Sequence, residues 1–378
     1  MPPNEDGSAG TPRPTQFLKG RANPLGEPVK ERRTMKSAVL TGLRKMKLVE
    51  RPVPRLISRT DVLVRMKAIG VCGSDVHYYL TGRIGSQVVK YPFAVGHECS
   101  GIVESVGSSV KSLKPGDLVA IEPAINCGSC DQCRVGRSHT CRKIKFLGCP
   151  GQIAGCLSEY IVMPEANCIK MPTGMTAEQG ALAEPLAIGL YAVRSAGNVK
   201  DRNVGILGYG PIGMSVHLML KACGVGRVYV TDKIAERLKL AKKTGAVWAG
   251  NPDVLEVDKA INGKEKAQLD IVFDCCGKQA ALDQAISILK PGGKLMIIGI
   301  PTVDRVSFKM EDLRRKEITL QNVRRQNGCD HDAVRMIGSK KIRPDSMITH
   351  RFALKDVKKA FDVVAGYRDG VMKALIKM

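Results

Sequence analysis

Aromatic side chains are scarce in this chain: Phe, Tyr and Trp make up 4% of its 378 residues, with a single tryptophan. Proteins that grip single-stranded nucleic acid interleave basic residues with aromatic stacking platforms. No such interleaving is found here, which argues against nucleic acid as a partner. Long apolar runs are also missing. No stretch approaches the roughly 18 uncharged apolar residues of a membrane span. Nor does a charged, apolar and small-residue succession open the chain as a secretory signal would. A cytoplasmic protein with no membrane partner is expected. Acidic residues are outnumbered, 36 against 59 Lys and Arg, for a net charge of +23. The basic residues are spread along the chain, so the excess reads as a surface that attracts small anionic ligands.

What is present is a globular composition, 44% apolar, on a chain longer than one hydrophobic core usually supports. About two domains are expected. Thirteen cysteines would suggest disulfides in a short secreted chain. Spread over this length, and clustered at metal-ligand spacing, they suggest reduced thiols and zinc. Residues 1–34 are rich in Pro, Gly and charge without apolar periodicity, and are expected to form a disordered tail. From residue 35 to 185, short β-type runs such as D-V-L-V-R-M-K-A-I-G and S-E-Y-I-V-M-P alternate with Gly, Pro and Asp. This predicts a compact, mostly-β domain.

Two metal sites are predicted inside it. The first runs through G-V-C-G-S-D-V-H-Y-Y and Y-P-F-A-V-G-H-E-C, where Cys72, His97 and Glu98 offer a thiolate, an imidazole and a carboxylate. Such a mixed set suits a zinc site that keeps one position open for chemistry. Ser74 and His77 follow Cys72 closely enough to pass a proton from a substrate hydroxyl toward water. The second site is the run C-G-S-C-D-Q-C-R-V-G-R-S-H-T-C, with Cys127, Cys130, Cys133 and Cys141. Two successive C-x-x-C steps turn three thiolates toward one point, and a longer return brings in the fourth. Four thiolates leave no open position, so this zinc is expected to be structural. Beyond it, G-A-L-A-E-P-L-A-I-G opens a helix with Glu184 in an apolar neighbourhood. A lone carboxylate there wants a partner, and Glu184 is a candidate acidic group at the first zinc, bound directly or through water. The alternative is an exposed first-turn carboxylate that favours the helix dipole.

Next comes R-N-V-G-I-L-G-Y-G-P-I-G-M-S-V-H-L-M-L-K, a buried strand, then Gly208, Gly210, Pro211, Ile212 and Gly213, then an amphipathic helix. The following strand ends in V-Y-V-T-D at Asp232, roughly 20 residues beyond the first glycine. Strand, glycines, helix, strand and terminal acid in this order form a dinucleotide-binding fingerprint. The glycines let a pyrophosphate rest on the helix N-terminus. Asp232 would accept hydrogen bonds from both ribose hydroxyls and repel a 2′-phosphate, which points to NAD. Lys233 and Arg237 stand close behind and weaken that preference, since cations there could tolerate a phosphate. Further β and α patterns follow, so residues 186–325 are expected to be a doubly wound α/β domain and 326–378 to return to the first domain.

The motifs C-G-S-D-V-H-Y, G-H-E, the four-cysteine run, A-x-E-P-L and G-x-G-P-I-G resemble those of the zinc-dependent medium-chain alcohol dehydrogenases, in particular their polyol branch, the sorbitol, xylitol and L-iditol dehydrogenases. The resemblance covers 36–378. It implies an α/β protein with a GroES-like mostly-β catalytic domain and a Rossmann NAD-binding domain, assembled as a homodimer or homotetramer. It implies two zinc ions per chain, and Glu184 where many alcohol dehydrogenases carry a cysteine. The implied activity is transfer of a hydride from a secondary hydroxyl of a polyol to NAD, giving a ketose. Tyr78 and Arg324 match pocket residues of sorbitol dehydrogenase. The chain departs from the family where Phe-Arg-Tyr becomes Val323-Arg324-Arg325, a change that suits an acidic or phosphorylated polyol if Arg325 faces the pocket and not water. Threonine, simple alcohols, and a non-enzymatic zinc- and dinucleotide-binding role are the other readings.

Overall fold

In the computed structural model, residues 33–378 are described, so the expected tail over 1–34 falls almost wholly outside them. The first domain is built on two long antiparallel strands, Asp61–Gly70 and Glu98–Val106, whose apolar side chains are buried on both faces. Around them the sheet runs in the order Cys168–Lys170, Leu118–Ile121, Glu98–Val106, Asp61–Gly70, Lys373–Lys377, Ile348–Ala353, and Tyr160–Pro164 also pairs with Asp61–Gly70. Val62, Val64, Met66 and Ile69 pack into one core with the C-terminal helix Val357–Ala365. Ala68, Ala120 and Ile169 join the other core, which continues into the second domain. The long strands meet with almost no clearance at one point. A Cβ on Gly70 would lie 2.1 Å from Oε2 of its cross-strand partner Glu98, so only glycine lets that carboxylate fold back over the sheet.

The C-terminal segment also enters this sheet. Strand Lys373–Lys377 pairs antiparallel with Asp61–Gly70, and Ile348–Ala353 lies parallel beyond it. The amphipathic helix Val357–Ala365 packs on helix Gly73–Thr81 through Tyr79 and Phe361, with ring centroids 5.4 Å apart. The Tyr79 hydroxyl also donates to Asp362 Oδ1 at 2.7 Å. The helix that carries Ser74 and His77 is thereby fixed by a distant part of the chain.

The second domain holds a six-stranded sheet, ordered Trp248–Gly250, Val228–Thr231, Val204–Leu207, Leu269–Asp274, Leu289–Ile297, Thr319–Asn322. Every pairing in it is parallel. Strands such as Val204–Leu207 and Val228–Thr231 are buried along their whole length, as expected where helices cover both faces. The sheet is doubly wound, as its βα alternation predicted. Helix Ala183–Ala196 packs against Pro211–Ala222 and carries the chain from the first domain into the second. Among the described residues, no helix is long and apolar enough to cross a membrane.

Candidate active site

Sheet register assembles the first metal site. Gly70 lies opposite Glu98, so the chain leaves one strand at Cys72 where the neighbouring strand begins after His97. One ligand atom each from Cys72, His97 and Glu98 lies within 4.8 Å of the others. Nδ1 of His97 faces Asp75 Oδ1 at 3.4 Å, which leaves Nε2 free for a metal. Asp75 is buried and is itself held by the Gly96 N–H at 3.2 Å. Burial opposes a charge on His97, but Asp75 and the Cys72 sulfur outweigh it and raise the ring's pKa. A proton and a metal would thus compete for this imidazole.

Glu98 has a partner that the sequence did not reveal. Lys373 Nζ lies 2.7 Å from both Glu98 carboxylate oxygens and 3.3 Å from the Val71 carbonyl, with both side chains buried. Burial lowers the Lys373 pKa, but Glu98 and Cys72 more than offset it. The ammonium therefore stays charged beside the anionic donors.

Glu184 sits in the first turn of Ala183–Ala196 and is 5% exposed, so it is not the solvated first-turn carboxylate of the alternative reading. Its Oε2 is buried without a hydrogen-bond partner. Burial, opposed by His97 and reinforced by Glu98 and Glu122, pushes its carboxyl up to about 7. Glu184 lies outside the tight cluster of Cys72, His97 and Glu98 ligand atoms, but an orphaned carboxylate oxygen that feels the charges of His97 and Glu98 fits a water on the metal better than open solvent. The Ser74 hydroxyl donates to Cys72 Sγ at 3.3 Å, at the same point. His77, half-buried, has its pKa lowered first by burial and then by Lys278 of the second domain, so it is neutral and open to a proton near pH 7.

The four-cysteine lobe also fits its metal. Cys130 and Cys133 sulfurs are 3.6 Å apart, Cys141 and Cys127 3.5 Å, and Cys130 and Cys141 3.9 Å. Four sulfurs placed tetrahedrally at zinc–thiolate bond length would be about 3.8 Å apart, so these spacings match those of a tetrahedral metal cage. Cys141 Sγ accepts the N–H of Cys127 at 3.3 Å and of Lys143 at 3.4 Å. Hydrogen bonds from the Ser129 and Cys130 N–H groups lower the Cys127 thiol to about 6.

In the second domain the glycine turn lies between strand Val204–Leu207 and helix Pro211–Ala222, with Pro211 at the first helical position and Ile212 after it. Gly208 has φ +91°, and a Cβ on Gly213 would lie 2.1 Å from its carbonyl oxygen, so the turn closes only with glycine at both positions. Asp232 accepts the Tyr209 N–H at 2.7 Å and the Ile234 N–H at 2.9 Å, which aims its carboxylate at this turn. Arg237 Nη1 lies 3.8 Å from Asp232 and would be 3.4 Å from a Cβ on Gly210, while its other nitrogens donate to the Val371 carbonyl. Arg237 thus lines the turn from a fixed position. Lys233 is instead paired with Asp253 at 2.6 Å on the surface.

Of the three pocket residues, two converge. The Tyr78 hydroxyl donates to Gln87 Oε1 at 2.9 Å and lies 4.0 Å from Cys149 Sγ. The Arg325 guanidinium lies over the Phe146 ring, 3.7 Å from its centroid, and Phe146 packs on His97 with centroids 5.3 Å apart. Arg325 therefore does not turn outward to water. Arg324 is exposed, and its charge reaches His139 and Cys149. Asp75, Lys373, Phe146 and Cys149 were not singled out from the sequence. Only Asp75, within C-G-S-D, stood inside a motif that could have drawn attention to it.

Known proteins share this organisation. Residues 58–173 match the model of the alcohol dehydrogenase GroES-like domain, and residues 211–338 match that of the zinc-binding dehydrogenases. The chain is 33% identical to sorbitol dehydrogenase of Bacillus subtilis over 90% of its length and 97% of that protein. It is 36% identical to L-idonate 5-dehydrogenase of Vitis vinifera over 87% of its length and 91% of that protein. Among solved structures, a zinc-binding dehydrogenase homologue of Sinorhizobium meliloti bound to NADP superimposes with a TM-score of 0.84 at 28% identity, over 92% of this chain and 100% of that one. With both domain models matched and both metal clusters and the dinucleotide turn in place, the chain belongs to the zinc-binding dehydrogenases with a GroES-like catalytic domain, and it is an oxidoreductase.

Proposed function

We propose that the protein oxidises a secondary hydroxyl of a polyol to a ketone, with NAD as hydride acceptor. The observation that carries this reading is the buried, unpartnered Glu184 oxygen, which feels the charges of His97 and Glu98 and adds a second carboxylate in the neighbourhood of the Cys72, His97 and Glu98 cluster. Cys72, His97 and Glu98 would hold zinc, which would supply Lewis acidity toward the substrate hydroxyl. Asp75 fixes the His97 tautomer, and Lys373 balances the charge of Glu98. The Ser74 hydroxyl takes the substrate proton and hands it toward His77, whose lowered pKa leaves it able to accept. Tyr78 borders the substrate, with Arg324 at the outer rim.

NAD is preferred because the Asp232 carboxylate keeps lone pairs for ribose hydroxyls and opposes a 2′-phosphate. Arg237 does not reverse this, since two of its nitrogens are committed to the Val371 carbonyl and the third faces Asp232 itself at 3.8 Å. The proposed form is a cytoplasmic homo-oligomer with two zinc ions per chain. The open edge of the second sheet, Thr319–Asn322, shows Leu320 to solvent, and Ile300, Val303 and Met310 are also exposed; this edge suits pairing with a second copy. A rate screen over polyols, threonine and primary alcohols, each with NAD and with NADP, tests the reading. Polyols with NAD should give the highest kcat/KM, and a primary alcohol or threonine as the best substrate would refute it.

A further inference from the structure

The loop after strand Thr319–Asn322 is built to hold one guanidinium in place. Arg325 has φ +53°, the left-handed region that a side chain with a Cβ seldom adopts. Its neighbours hold it there. The Gln326 amide donates to Glu122 Oε2 and its carbonyl accepts the Cys329 N–H at 2.7 Å. Asn327 is fastened to the four-cysteine lobe, accepting from Ser138 Oγ at 2.9 Å and donating to the Gly136 carbonyl at 2.8 Å. A strained residue so firmly braced points to a task for its side chain.

That side chain lies over the Phe146 ring, one ring away from His97, yet its Nη1 is buried without any hydrogen-bond partner. Among the described residues no carboxylate lies within ion-pair distance of Arg325. The adjacent Arg324 adds a like charge, and Glu184, Tyr78 and Cys149 are the other groups whose charge it feels. A buried guanidinium without an anion is poorly solvated, and the planar fork of Arg matches a carboxylate or phosphate through two parallel hydrogen bonds.

We propose that the site takes a polyhydroxy substrate bearing an anionic end group, a carboxylate or a phosphate, which Arg325 grips while a secondary hydroxyl reaches Cys72, His97 and Glu98. This rests on the polyol dehydrogenase reading. The contact with Phe146 holds the guanidinium in place, and the unpartnered Nη1 is the donor that the anion satisfies.

The test compares zinc-loaded wild type, Arg325→Gln and Arg325→Lys at saturating NAD. The substrates are a neutral pentitol or hexitol, the matching aldonate and the matching polyol phosphate. The ratio of kcat/KM for anion over neutral, taken within one preparation, is independent of how much of a variant folds. That ratio should favour an anion in the wild type and fall at least tenfold in Arg325→Gln, mostly through the anion's KM. Arg325→Lys, which keeps the charge but not the fork, should fall between. Whichever of aldonate and phosphate suffers the larger loss is the natural end group. Equal losses for anion and neutral, no loss, or a loss confined to the KM for NAD would overturn the proposal while leaving polyol oxidation standing. No turnover of any of the three by enzyme that holds its zinc would overturn both.

Discussion

Lys373 Nζ stands 2.7 Å from each carboxylate oxygen of Glu98, at a point where both side chains are about 1% exposed. A buried ion pair of this kind contributes little net stability, but removing one partner strands the other, at a cost of about 3 to 5 kcal/mol. Lys373→Met should therefore destabilise the metal-free protein by about that much. In zinc-loaded protein the loss should be smaller, because the metal replaces the missing positive charge. Denaturant unfolding with and without zinc checks this. An equal loss in both states would show that Lys373 acts only as packing.

Metal content follows from the two donor clusters. Purified protein should contain two zinc ions per chain by elemental analysis, matching the two clusters of ligand atoms. Cys130→Ser should lose one and drop sharply in stability, since structural zinc is itself a source of folding free energy. A wild type with one zinc contradicts this.

Asp232 is turned toward the glycine turn by the Tyr209 and Ile234 N–H groups, and the proposed NAD preference rests on its carboxylate. In Asp232→Ala the NAD to NADP ratio of kcat/KM should narrow tenfold or more, on the order of 1.4 kcal/mol. An unchanged ratio would place the discrimination elsewhere.

A pH effect on stability is expected from Asp330. Burial, and then a hydrogen bond with Glu122, raise its carboxyl well above the ordinary value. A raised folded pKa means the stabilisation is fully present below the unfolded value near 4, and fades as pH climbs through the folded one. Asp330→Asn resembles the protonated acid at every pH. The Tm of the variant relative to wild type should accordingly rise as pH climbs above about 4, and a constant difference would refute the assignment.

Both the fold and most of the metal donors were legible because they depend on short-range spacing. The C-x-x-C steps, G-H-E, and the strand, glycine turn and helix around Gly208 each specify local geometry, and in the fold they form two clusters of possible ligand atoms and a strand–turn–helix unit. Asp75 was harder, since only the angle of His97 gives it a role. Lys373 was beyond reach from sequence. It opens an apolar strand, K-A-L-I-K, where a lysine looks like a solvated end, and it meets Glu98 only because that strand docks on Asp61–Gly70. Arg325 carried a chemical hint, but its inward turn depends on Phe146 and on the braces from Glu122, Ser138 and Gly136.

The separation of Glu98 from Lys373, 275 residues in the chain, also bears on synthesis at the ribosome. The parallel sheet from Val204 to Asn322 is contiguous in sequence and can close as it emerges. The sheet around Asp61–Gly70 cannot, because its edge stays open until Lys373–Lys377 arrives. During that interval Cys72 and Glu98 have no ammonium beside them. The nascent catalytic domain is thus the half exposed to mispairing and to premature metal capture, and the half that a chaperone would have to shield.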